Sequence, residues 1–309
     1  MASRSQTAIR VGTRGSELAM RQTRLAVAAL EAACPGLQFE ITPISTAGDR
    51  DKSSPLAAVG VSVFVKELEE ALADGRVDMA VHSLKDMPSR LPDGYVLAGL
   101  LPRGDPRDVL VSRFRAPLED IPAGARIGTG SPRRAALLRA LRPDIETAPI
   151  RGNVDTRLRK ALEGEGRYDG AILAASGLQR LDRMEDHFVY LDPESFTPAS
   201  GQGTLVIETS EDNQEASDIA AAIDDPPTRL ASTAERAFLA RLGAGCNAPA
   251  SAYATLAGGE ITVRGFVAAT AGERNLFVRR TGPQEQAQEI ATALAEEMLE
   301  QGAGEMING

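Results

Sequence analysis

"RIGTGSPRRAALLRAL", residues 126–141, carries the pattern on which the fold turns. A short apolar run ends in a glycine-containing turn, and Ser131 and Pro132 then open a helical pattern of Ala and Leu. Serine caps a helix by accepting from an early backbone N–H, and proline suits the first helical turn because no N–H is needed there. Strand, tight turn and helix in that order build a mainly parallel sheet covered by helices. The order recurs downstream: "IETAPI" (145–150) runs into "RGNVDTRLRKALEG" (151–164), and "YDGAILAAS" (168–176) into "GLQRL" (177–181).

Upstream, "AIRVG" (8–12) passes through "TRG" into the amphipathic "SELAMRQTRLAVAALEAA" (16–33), which stops at Pro35 and Gly36. "QFEITPI" (38–44), "FVKELEEALADG" (64–75) and "VDMAVHS" (77–83) continue the alternation, which restarts at "DVLVS" (108–112) after the punctuating "PRGDPR". The two stretches are compatible with copies of one architecture. A third segment follows "DDPPTRL" (224–230), whose two prolines read as a linker. Its helix, "STAERAFLARL" (232–242), is expected to open with a capping box, Ser232 with Glu235, and to end at Gly243. A loop, short antiparallel strands and a closing helix (283–302) then make a small α+β domain.

At 309 residues the chain exceeds what one core usually holds, about 250 to 300 residues. With 43% hydrophobic and 25% charged residues it reads as an ordinary globule rather than a disordered chain. The net charge of -9 repels nucleic acid and anionic membranes, so any bound anion needs a local cationic pocket. No stretch approaches the roughly 18 apolar residues of a membrane span, and the cytoplasm is the expected location. Cys34 and Cys246 are too few for a disulfide framework or thiolate cage, and His82 and His187 are too scattered to indicate a metal site. Cys34, in "LAVAALEAACPG", reads as a small buried hydrophobe. Cys246, in "RLGAGCNAP" (241–249), is set among small residues and asks for another reason.

"AVHSLKDMPSRLP" (80–92) delivers Ser83, Lys85 and Asp86 at the carboxyl end of an apolar strand, where ligands of open α/β sheets bind. A solvated turn holding an ion pair is the other reading of these residues. Arginines gather at strand-to-helix junctions: Arg14, Arg133, Arg134, Arg151 and Arg157. Guanidinium grips carboxylate or phosphate bidentately, so in an acidic protein this pattern points to a polyanion pocket. Arg139, Arg142 and Arg159 are open to a plain solvated-face reading. No Walker loop or dinucleotide fingerprint is present.

Taken in order, "IRVGTRGSELA", "FVKELEEALADGRVDMAVHSLKDMP", "GTGSPRRAALL", "RGNVDTRLRKAL", "AILAASGLQRL", "PASGQGTLVIE" and "AERAFLARLGAGCNAP" resemble the motifs of the porphobilinogen deaminase (hydroxymethylbilane synthase) family, from about residue 8 to the end. The resemblance implies a cytoplasmic monomer that joins four porphobilinogen molecules head to tail, with loss of ammonia, into hydroxymethylbilane for tetrapyrrole (haem, chlorophyll) synthesis. It implies a dipyrromethane cofactor tethered by a thioether to Cys246 and Asp86 as the catalytic acid. Lys85, Ser83, Thr129, Ser131, Arg133, Arg134 and Arg157 match the cofactor-binding positions, and Arg14, Ser16, Arg151 and Arg180 the substrate-binding ones. No metal, nucleic acid or membrane partner is implied. The implied architecture is α/β: two doubly wound domains resembling the halves of periplasmic binding proteins, 1–102 with 198–222 and 103–197, plus a small α+β domain, 223–309, bearing Cys246.

The chain departs from the family where "AAVGVSVF" (57–64) replaces a glycine- and lysine-rich loop, so Ala58 and Ser62 stand at customary lysine positions. Glu17 replaces a usual proline and Ala244 a common glycine. A non-catalytic, two-lobed anion-binding protein on the same scaffold is the alternative. A cysteine-nucleophile enzyme lacks a histidine base within these motifs.

Overall fold

The structure, a computed structural model, describes residues 8–45, 65–164, 167–245, 248–269 and 274–308. In chain order it contains β1 (Ile9–Arg14), α1 (Glu17–Ala33), β2 (Phe39–Ile44), α2 (Lys66–Ala73), β3 (Met79–Ser83), β4 (Tyr95–Leu100), β5 (Asp108–Ser112) and β6 (Arg126–Gly128). There follow α3 (Pro132–Leu141), β7 (Glu146–Ala148), α4 (Val154–Glu163), β8 (Gly170–Ala174), α5 (Ala175–Arg180), β9 (Val189–Tyr190), β10 (Leu205–Ser210) and α6 (Gln214–Ala221). The chain closes with α7 (Pro226–Leu242), β11 (Ala250–Ala257), β12 (Glu260–Ala268), β13 (Asn275–Pro283), α8 (Ala287–Glu300) and α9 (Ala303–Asn308). It divides into two compact units, one of residues 1–103 and 204–229, the other of 104–203 and 230–309.

The first unit is a five-stranded sheet in the order β2-β1-β3-β10-β4. β1 pairs parallel with β2 and β3, while β10 runs antiparallel to both of its neighbours. Helix α1 forms because Ser16 caps it, accepting from the Ala19 N–H at 3.3 Å, and because Ala26, Val27 and Leu30 fall on one face. That face packs on Val11, Met79 and Ile207 of the sheet. On β4, a Cβ at Gly99 would stand 2.1 Å from the Ala220 carbonyl oxygen, so only glycine lets α6 approach.

The second unit holds a sheet in the order β7-β6-β8-β5-β9, again with one antiparallel strand, β5, in the fourth place. The two sheets share one strand plan, as compatible copies would. The unit's other sheet, β11-β12-β13, is antiparallel and packs on α7 and α8 through Phe238, Val263, Leu294 and Met298. Phe266 and Ala268 of β12 join a different core, that of Ile127, Leu137 and Ile172.

Three expectations change. α7 begins at Pro226, so the prolines read as a linker occupy its first turn, where Asp225 accepts from the Thr228 N–H at 2.9 Å. Ser232 and Glu235 therefore lie inside the helix and form no capping box. Cys34 is half-buried at the end of α1 and outside the core. Among the described residues no helix is long and apolar enough to cross a membrane.

Candidate functional site

In the first unit the adjacent parallel strands β1 and β3 end at the same edge, since Val11 lies beside Met79 and Gly12 beside Ala80. Arg14 closes β1 and Ser16 caps α1; Ser83 closes β3, and Lys85 and Asp86 follow in a short 3-10 turn. Parallel pairing thus gathers all five residues at the carboxyl edge, the place where such sheets bind ligands. Ser83, Lys85 and Asp86 are half-buried, as is Arg14. Gln22 of α1 donates to Ser83 Oγ at 3.0 Å, tying the helix to the last residue of β3. Leu84 N–H donates to the Thr204 carbonyl at 3.0 Å, and buried Leu84 and Met87 fix the turn on either side of Lys85 and Asp86. His82, one residue earlier, is buried with its Nε2 2.9 Å from Glu208 Oε2, a close approach not aligned as a directed hydrogen bond.

In the second unit β6, β7 and β8 run parallel, and their carboxyl ends lead to Thr129 and Ser131, to Arg151, and to Arg180. Thr129 N–H donates to the Ala148 carbonyl at 2.8 Å, and Thr129 Oγ1 accepts from the Ser131 N–H at 3.1 Å, shaping the turn. Ser131 Oγ caps α3 by accepting from the Arg134 N–H. Asn153 caps α4, and Arg157 Nε donates to the Gly152 carbonyl at 2.8 Å. Gly152 has φ +117, and a Cβ there would meet Thr156 Cγ2 at 2.5 Å, so the "RGN" turn requires glycine. Arg151 is half-buried, and its carbonyl accepts from Lys160 Nζ. Arg180 Nη2 donates to the Gly203 carbonyl at 2.6 Å, and burial lowers the Arg180 pKa to about 10.

Arg133 and Arg134 turn back into the lobe from the first turn of α3 and are 4% and 7% exposed. Arg133 donates to Asp108 Oδ2 at 2.8 Å and to the Thr197 carbonyl at 2.6 Å. Arg134 donates to Asp108 Oδ1 from Nε and Nη2, to the Ile172 carbonyl, and to Gln202 Oε1. Asp108 is fully buried, which alone would raise its pKa, but Arg133, Arg134 and the Gln202 amide overrule burial and hold it at about 2. The sequence patterns did not pick out Asp108 or Gln202. The available signal was an acid opening the otherwise apolar strand "DVLVS" and a lone amide in "ASGQG". Arg139 and Arg142 bond Thr147 and Asp144. Cys246, Ala58 and Ser62 lie outside the described residues.

Comparison with known proteins gives two family matches. "Porphobilinogen deaminase, dipyromethane cofactor binding domain" covers residues 9–218, and "Porphobilinogen deaminase, C-terminal domain" covers 229–300. The chain is 45% identical over 296 residues to a porphobilinogen deaminase of Syntrophus aciditrophicus, spanning 95% of this chain and 96% of that one. Against the Roseiflexus castenholzii porphobilinogen deaminase the identity is 46% over 305 residues, spanning 98% and 100%. Among solved structures, a TRAP periplasmic solute-binding protein of Ralstonia eutropha is similar at a TM-score of 0.37 and 16% identity, covering 71% of this chain and 76% of that one.

Proposed function

This chain belongs to the porphobilinogen deaminase family, and on that premise we propose that it condenses four porphobilinogen molecules head to tail, with loss of ammonia, into hydroxymethylbilane. The observation that carries this is the gathering, in each unit, of the motif residues at the carboxyl ends of parallel strands. We further propose a three-domain division at residues 1–102 with 198–222, 103–197 and 223–309, and a monomer acting in the cytoplasm on this one small-molecule substrate.

A dipyrromethane carries carboxylates, and the donors at these strand ends fit it: guanidinium, ammonium and hydroxyl groups, all able to bind carboxylate. Cys246 would tether it, and Lys85, Ser83, Thr129, Ser131, Arg133, Arg134 and Arg157 would hold it. When bound, it supplies the free pyrrole carbon at which the product chain is extended. Arg14, Ser16, Arg151 and Arg180 would take the acetate and propionate of the incoming porphobilinogen. Each added ring brings two more negative charges, and arginine walls offset their repulsion. Asp86 is the acid in this scheme. Departure of ammonia leaves positive charge on the substrate pyrrole, which a carboxylate next to the ring nitrogen stabilises. The same carboxylate moves protons to the leaving amine and from the newly joined ring.

Intact-mass measurement of the purified protein, with consumption of porphobilinogen, tests the assignment. The expected result is a covalent two-ring adduct and steady substrate loss. A bare polypeptide with an unmodified thiol and no consumption would instead favour the non-catalytic anion-binding protein.

A further inference from the structure

We propose that Asp108 and Gln202 are positioning residues for the Arg133–Arg134 pair: they fix where both guanidinium groups point and leave the cluster one positive charge in excess for a carboxylate ligand. The inference rests on the assignment of Arg133 and Arg134 as cofactor-binding residues. Both side chains act from behind the site. Asp108 is fully buried on β5, and Gln202 is fully buried in the segment after Thr197.

The geometry leaves little freedom. Asp108 gives one carboxylate oxygen to each arginine, Oδ2 to Arg133 and Oδ1 to Arg134, so a single residue spaces the two guanidiniums. The amide of Gln202 is oriented without ambiguity. Its Nε2 donates to Asp108 Oδ1 at 2.9 Å and to the Pro106 carbonyl at 2.7 Å, while its Oε1 accepts from Arg134. Two acceptors on one side and a donor on the other fit an amide and exclude a carboxylate. The Thr197 and Ile172 carbonyls each hold one further nitrogen, Nη1 of Arg133 and Nη1 of Arg134.

Two arginines against one aspartate sum to a single positive charge in a water-poor interior, where an unmatched charge is costly until a counter-ion arrives. Gln202, neutral and bonded to both signs, steadies the pair without cancelling that charge. A glutamate at the same place would cancel it.

The test compares Gln202→Met and Gln202→Glu with the parent holoprotein, matched for fold by circular dichroism and melting temperature. Readouts are the share of chains carrying the two-ring adduct, and KM and kcat for porphobilinogen. The parent must show adduct and turnover; if it shows neither, the family-based assignment fails and the inference with it. Given a competent parent, Gln202→Met is expected to lower the adduct share about tenfold, the loss typical of one hydrogen bond to a charged group, and kcat per chain in proportion, because a chain without the two-ring adduct has nothing to extend. Gln202→Glu is expected to lose several-fold more than Gln202→Met, because charge as well as direction is lost. Folded variants that load as fully as the parent would overturn the inference, as would losses of kcat per loaded chain with the adduct share unchanged. Asp108→Asn, where it folds, is expected to fall at least as far as Gln202→Met; where it does not fold, the two Gln202 variants decide.

Discussion

Asp86 and Asp108 show how position sets what a carboxylate can do. Asp86 is half-buried at the end of β3, accessible to a ligand at the strand ends, and its turn is fixed by Leu84 and Met87 on either side. Asp86→Asn keeps size and loses the charge. Turnover of porphobilinogen is expected to fall by roughly 10²- to 10⁴-fold, the scale of acid–base catalysis, while adduct loading by mass stays near the parent level. Turnover close to the parent's would remove Asp86 from the mechanism. Asp108 instead holds the interior. Its folded pKa of about 2 lies below the ordinary carboxylate range, so the ionised form is favoured by folding. The resulting stability, on the order of 2 kcal/mol, is present above pH 4 and is lost as pH falls through 4 toward 2. In melting experiments from pH 6 to 2.5, Asp108→Asn should show a shallower acid slope than the parent. Parallel slopes would contradict the depressed pKa.

At the level of elements, a single buried acid in α7 ties three pieces of backbone within the second unit. Glu235 is fully buried; Oε2 accepts from the Gly201 N–H at 2.6 Å and Oε1 from the Ala254 N–H at 2.9 Å. Glu235→Ala leaves both donors without an acceptor and is expected to cost roughly 2–5 kcal/mol in urea unfolding. Glu235→Gln offers one acceptor for two donors and should fall between. A change under about 0.5 kcal/mol in both would be an ordinary surface effect and would deny Glu235 this role. Glu235 also shows where sequence reading stopped. Its spacing from Ser232 matched a capping box, because local patterns cannot tell a first-turn glutamate from one buried by distant backbone. The prolines of "DDPPTRL" punctuate equally well as linker or as first turn, and the Asp225 cap decided for the helix. Strand-to-helix turns such as "GTGSPRR" were legible, since their capping chemistry is local. The Arg133 and Arg134 contacts were not, because their partners Asp108, Ile172, Thr197 and Gln202 come from four other places in the chain.

The whole chain is threaded so that neither unit is a continuous piece. β10 arrives from beyond residue 203 and takes the place between β3 and β4, with Leu205, Val206 and Ile207 at most 2% exposed. Burying three such side chains is worth roughly 5 kcal/mol or more, comparable with the net stability of an entire domain. β10 also closes the hydrogen-bond ladders of both neighbours, which would otherwise present open edges inside the sheet. Asp224 and Arg229 add to the dependence. Asp224 accepts from the Leu100 N–H at 2.8 Å, and Arg229 donates to the Leu97 and Ala98 carbonyls. A fragment of residues 1–103 therefore lacks its fourth strand and the α6 cover, and it is expected to show no cooperative thermal transition. Joining residues 204–229 to its end through a flexible Gly/Ser linker should restore one, because loop closure grows only slowly in cost with length. Circular dichroism melts of the two proteins provide the comparison. A cooperative transition in the shorter fragment would mean that β1, β2, β3 and β4 fold without the strand that separates the last two.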